Sequence, residues 1–92
     1  MAQKRYTVYV APAADRDLRK LSNSVQRRIV SAIEALADDP RPPGVKKLAG
    51  QADNLWRIRV SDYRIVYQIQ DERIVVLILR VGQRGDIYRT EM

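Results

Sequence analysis

The sequence predicts an α+β fold in the order β-α-α-β-β-β, with a helical hairpin packed on one face of a mostly antiparallel four-stranded sheet. Three observations carry this. Apolar residues between positions 12 and 37 recur at spacings of three and four, the period of a helix. From position 55 the period becomes two, the period of a half-buried strand. The polar dipeptides Ser61-Asp62 and Asp71-Glu72 cut this second half into three runs and suit tight turns. At 92 residues the chain supports one domain over 1–92, with one core.

Tyr6-Thr7-Val8-Tyr9-Val10 is rich in β-branched and aromatic residues and reads as the first strand. Pro12 suits the first turn of a helix, where a missing N–H costs nothing. Ala14, Leu18 and Leu21 follow at helical spacing and predict a short helix over 12–21. Ser22-Asn23-Ser24 breaks it and offers caps for the next helix. There Val25, Ile29, Ala32, Ile33, Leu36 and Ala37 form one apolar stripe, Arg27, Arg28, Ser31 and Glu34 lie off it, and Asp39-Pro40 ends it. Residues 38–54 hold three prolines, two glycines and Lys46-Lys47, which reads as a loop with a basic centre. Leu55–Val60, Tyr63–Ile69 and Arg73–Val81 are the remaining strands. The run Ile74 to Leu79 is apolar on both faces, which suits a central strand.

Composition narrows the chemistry. Without cysteine there are no disulfides and no thiolate zinc site. Without histidine the commonest general base and metal ligand are missing, so proton transfer falls to Tyr, Lys, Arg, Asp or Glu. Lys and Arg total 17 against 11 acids, a formal charge of +6 that points to a polyanionic partner. Most of these cations are Arg, whose planar fork suits phosphate and carboxylate. The N-terminus has no apolar signal core, and no run approaches the ~20 apolar residues of a membrane helix. A soluble cytoplasmic protein without a membrane partner is expected.

A register follows from the Ser61-Asp62 turn. If it has two residues, Val60 faces Tyr63, Arg59 faces Arg64, Ile58 faces Ile65 and Arg57 faces Val66. Alternation then puts Arg57, Arg59 and Arg64 on one face of the sheet. Trp56, Ile58, Val60, Tyr63, Ile65 and Tyr67 share the other, which should lie under the helices. Opposed like charges destabilise a strand pair, by up to about 1 kcal/mol. Folding does not ask for this arrangement, and a bound polyanion reverses its sign. The basic face continues into Val66, Val75, Leu77 and Leu79, an apolar extension able to stack bases or receive an amphipathic segment. Past the last strand, Gly82 and Gly85 frame Arg84, and Tyr88 follows.

These pieces resemble the RelE/ParE toxin superfamily. The resemblance rests on Lys46-Lys47-Leu48-Ala49-Gly50, Leu55-Trp56-Arg57-Ile58-Arg59-Val60, Asp62-Tyr63-Arg64-Ile65-Val66-Tyr67, and Val81-Gly82-Gln83-Arg84 to Tyr88. Asp17-Leu18-Arg19-Lys20-Leu21 is similar to the family's first helix. It implies the toxin of a type II toxin–antitoxin pair, of the RelE branch. Such a toxin enters the ribosomal A site and cuts messenger RNA by attack of the 2′-hydroxyl on the adjacent phosphate, with no metal or other cofactor. It implies Arg57, Arg59, Arg64, Arg84 and Tyr88 as catalytic positions. It also implies a cognate antitoxin, the ribosome and mRNA as partners. Lys46 and Lys47 are expected to bind RNA. Two departures concern proton transfer rather than phosphate binding. Arg stands at 57 and 59 where the RelE prototype has Lys, and Gln83 stands where many relatives have His. Two further functions suit the same sequence: a ParE-type toxin acting on DNA gyrase, and a non-enzymatic nucleic-acid-binding module.

Overall fold

The computed structural model describes residues 5–48 and 54–83. Its elements are β1 (Thr7–Val10), α1 (Pro12–Arg19), α2 (Asn23–Ala35), β2 (Lys46–Lys47), β3 (Leu55–Val60), β4 (Tyr63–Gln70) and β5 (Val75–Gln83). The strands form one sheet in the order β1-β5-β4-β3-β2. Only β1 and β5 run parallel. The other contacts are antiparallel.

The expected fold class is the observed one, and β5 is interior as its two-faced apolarity requires. The sheet has a fifth strand where a loop was expected. Lys46 and Lys47 pair with Arg57 and Trp56. A two-residue strand just after a proline cluster shows no period, so pattern alone does not reveal it.

Pro12 occupies the first turn of α1, as its missing N–H favours. Ser22 caps the N-terminus of α2 through its extended backbone, without a side-chain hydrogen bond. Ala14 and Leu18 of α1 and Ile29, Ile33 and Leu36 of the second helical segment pack on Ile65, Tyr67, Ile69, Val76, Ile78 and Val81. Trp56, Ile58, Val60 and Tyr63 pack against this core from the sheet. One face of the sheet therefore lies under the helical hairpin.

The β3–β4 connection is the two-residue turn that the register needed, with Val60 opposite Tyr63. Ser61 takes a positive φ of 55°, as the first central residue of a II′ hairpin does. The β4–β5 connection differs from expectation. It is a four-residue turn over 71–74 rather than the dipeptide Asp71-Glu72, and Ile74 sits at φ 57°. Amides of Arg73 and Ile74 donate to the carbonyls of Gln70 and Asp71. The register of β4 against β5 then shifts between Val66 and Tyr67. Val66 faces Arg80 while Tyr67 faces Ile78, so Leu79 is the extra residue of a bulge.

Candidate active site

The face of the sheet turned away from the helices carries the basic residues. Arg59 lies opposite Arg64, and Arg57 opposite Val66, as the turn argument required. Arg59 is exposed, Arg57 half-buried, and Arg64 only 5% exposed. Arg59 and Arg64 line an open hollow of about 420 Å³ with Ser61, Asp62 and Gln83.

Among the described residues, none of these three guanidinium groups has an ion pair or a hydrogen bond, although Asp62 lines the same hollow. The ion pairs among the described residues lie elsewhere and include Arg5–Asp38, Arg19–Asp15, Arg41–Asp71 and Arg80–Asp17. The Arg64 side chain is enclosed along its stem while its guanidinium reaches solvent through this hollow, since among the described residues the buried side-chain polar atom without a partner is Trp56 Nε1. Arg64 also faces a like charge and has no counter-ion among the described residues. Such a site attracts an anion, and its forked donors match the oxygens of a phosphate.

The two lysines separate. Lys46, opposite Arg57, joins the basic face, whereas Lys47, opposite Trp56, takes the other. Its Nζ lies 5.9 Å from the Trp56 ring centroid, and Arg41 Cζ lies 5.0 Å from it. The segment leading into β2 is anchored from two sides. Arg41 donates a fork to Asp71 at 2.8 and 3.2 Å, and the Tyr6 hydroxyl donates to the same carboxylate at 2.7 Å. These hydrogen bonds from Arg41 and Tyr6 hold the Asp71 carboxyl below its usual range.

Asp17 and Arg80 form a contact that sequence reasoning missed. β1 ends at Val10, and Ala11 donates to the carbonyl of Ile78, so β5 runs on past its parallel neighbour. Asp17 of α1 takes over that edge. Its carboxylate accepts from the Val81 amide at 2.9 Å and from Arg80 at 2.8 and 3.1 Å. Burial pushes the Asp17 carboxyl upward, but Arg80 and the Val81 amide outweigh it and leave the pKa below the ordinary value. The bulge brings Arg80 opposite Val66, where an apolar continuation of the face was expected. The available signal was an Arg within an apolar strand, which must find a partner. Arg84 and Tyr88 lie outside the described residues.

Among the described residues no group of three potential His, Cys, Asp or Glu ligands converges to hold a metal. The chemistry this face offers is electrostatic, namely phosphate binding and stabilisation of charge developing on phosphoryl oxygens.

Comparison with known proteins adds a family. Residues 8–88 match the model described as the ParE toxin of the type II toxin–antitoxin system parDE. Toxin RelG of Mycobacterium tuberculosis is 39% identical over 85 residues, covering 91% of this chain and 97% of the relative. The mRNA interferase toxin RelE of Escherichia coli is 34% identical, covering 79% of each chain. The archaeal RelE-RelB complex from Pyrococcus horikoshii contains a chain 30% identical, with a TM-score of 0.78, covering 88% of this chain and 97% of that one.

Proposed function

The chain belongs to the ParE toxin family of type II toxin–antitoxin systems, with relatives of the RelE type, and on that premise we propose that it is an endoribonuclease that cuts messenger RNA in the ribosomal A site. The observation that carries this is the Arg59–Arg64 pair, two opposed guanidinium groups without counter-ions among the described residues.

In this reading a ribose 2′-oxygen attacks the adjacent phosphorus, and the bond from phosphorus to the 5′ oxygen breaks. The 2′-hydroxyl loses its proton and the departing oxygen gains one, leaving a cyclic phosphate and a free 5′-hydroxyl. Arg64 and Arg84 clamp the scissile phosphate. Arg57 and Arg59 stabilise charge as it develops on the phosphoryl oxygens. Tyr88 stacks on a base or assists loss of the 2′-hydroxyl proton. The partner that silences the toxin is a cognate antitoxin, as in the related RelE-RelB complex. Its contact segment carries acidic residues to complement the +6 charge. The site of action is the cytoplasm, where translation takes place. No helix among the described residues is long and apolar enough to cross a membrane.

The test is cleavage on programmed ribosomes with an empty A site, with the same message free in solution for comparison. Cuts inside the A-site codon, seen only with ribosomes, are expected. Arg64→Ala should keep its circular-dichroism spectrum and lose at least about 10²-fold in rate, the scale of losing one oriented donor to a developing oxyanion. A folded and fully active variant would remove Arg64 from the site. Absence of cuts by the folded wild type would direct attention to gyrase supercoiling.

A further inference from the structure

Lys46 stands opposite Arg57, and Arg59 stands opposite Arg64. Two facing pairs of cations therefore step across β2, β3 and β4 on one face of the sheet. Arg57 and Arg59 are two residues apart along β3, about 6.6 Å. That is close to one sugar–phosphate repeat of an extended single strand.

Each pair has its own hollow. Arg59 and Arg64 share the one described above. Lys46, Arg57 and Arg59 line a second, of about 320 Å³, with Pro43, Gly44 and Ile58. Arg59 belongs to both. The second hollow lies where β2 stops. Val45 turns away there, donating its N–H to the Pro42 carbonyl, and β2 pairs with β3 only at Trp56 and Arg57. Gly44, at φ 89°, makes that turn possible. Leu55 uses its carbonyl toward the β2 side, accepting from Leu48. Alternation then aims the main-chain groups of Arg57 and Arg59 the same way, so the Arg59 N–H points at the open edge. Among the described residues the Lys46 ammonium has neither an ion pair nor a hydrogen bond.

We propose that Lys46 and the Arg59 main-chain N–H, with Arg57 shared between them and the scissile phosphate, form a second phosphate subsite. It holds the phosphate next to the one being cut, so the protein grips two consecutive phosphates of a single-stranded RNA. This rests on reading the Arg59–Arg64 pair as the scissile-phosphate site. It explains why two like-charge cross-strand pairs sit side by side. Each opposes folding, and two successive phosphates neutralise both. Lys46, on the short edge strand, fixes where the chain beside the cut must run.

The experiment uses messages on programmed ribosomes, each with one uncharged methylphosphonate linkage near the cut. Wild type should be slowed about tenfold by the neutral linkage at one immediate neighbour of the scissile phosphate, the loss of one charge-assisted contact. Lys46→Ala should be slowed by a similar factor on the unmodified message and no further by that linkage, because both changes remove the same contact. Arg27→Ala, which removes a charge from an exposed position on α2, should behave as wild type throughout. Equal rates for Lys46→Ala and Arg27→Ala would overturn the subsite, as would independent multiplication of the variant and linkage effects. Failure of the wild type to cut any message would remove the underlying nuclease reading as well, a result visible before any variant is compared.

Discussion

Two polar side chains of β4, Arg64 and Tyr67, are both buried, one on each face of the sheet. Tyr67 is fully enclosed in the core, and its hydroxyl donates to the Pro40 carbonyl at 2.7 Å. Burial raises its pKa far above the ordinary tyrosine range, so it remains a donor at every working pH. Its polar atom has a partner, whereas Arg64 has none among the described residues. The contrast separates a residue kept for the fold from one that we propose serves a ligand. Tyr67→Phe should cost about 1–3 kcal/mol, since it strands a buried carbonyl. Urea denaturation should show a lower midpoint with an unchanged slope, and cleavage per folded molecule should not change. The sequence places Tyr67 on the core face by alternation. It cannot reveal the partner, which lies 27 residues earlier beyond a proline-rich segment.

At the scale of elements, legibility followed turn chemistry. The β3–β4 hairpin was readable because a two-residue turn sets the register and both strands alternate cleanly. The β4–β5 register was not, because the turn has four residues and Leu79 bulges. Asp17 was read only as part of α1, yet it caps the exposed edge of β5. That contact carries a pH dependence of known sign. The Asp17 carboxyl lies below its ordinary pKa in the folded chain, so its contribution is present above the usual carboxylate range. It is lost as pH falls through that range toward the depressed folded value. The side chains of Arg80 and Asp17 are 23% and 12% exposed, sheltered enough for the pair to be worth roughly 1–2 kcal/mol. Asp17→Asn should therefore lower Tm by roughly 4–8 °C per kcal/mol at pH 7. The gap from wild type should narrow at pH 3. A gap that stays constant between the two pH values would show that the carboxylate charge is not what holds the edge.

Across the whole molecule, the +6 charge is unevenly distributed. Carboxylates neutralise arginines on α1, at its contact with β5, and around the β4–β5 turn. Lys46, Arg57, Arg59 and Arg64 themselves have no ion pair among the described residues. Composition pointed to a polyanion partner, and alternation located the basic face. Lys46 could not be assigned to it without β2. The core closes on the helix side without using these cations, so their like-charge contacts work against folding. The most direct measurement of that claim is the unfolding free energy of Arg59→Ala in denaturant, with its cleavage rate on programmed ribosomes. An unchanged stability, or a gain of up to about 1 kcal/mol from removing the opposed charge, together with lost cleavage, is the expected result. A stability loss above about 1 kcal/mol with cleavage intact would show that the arginine pair serves the fold and that phosphate is bound elsewhere.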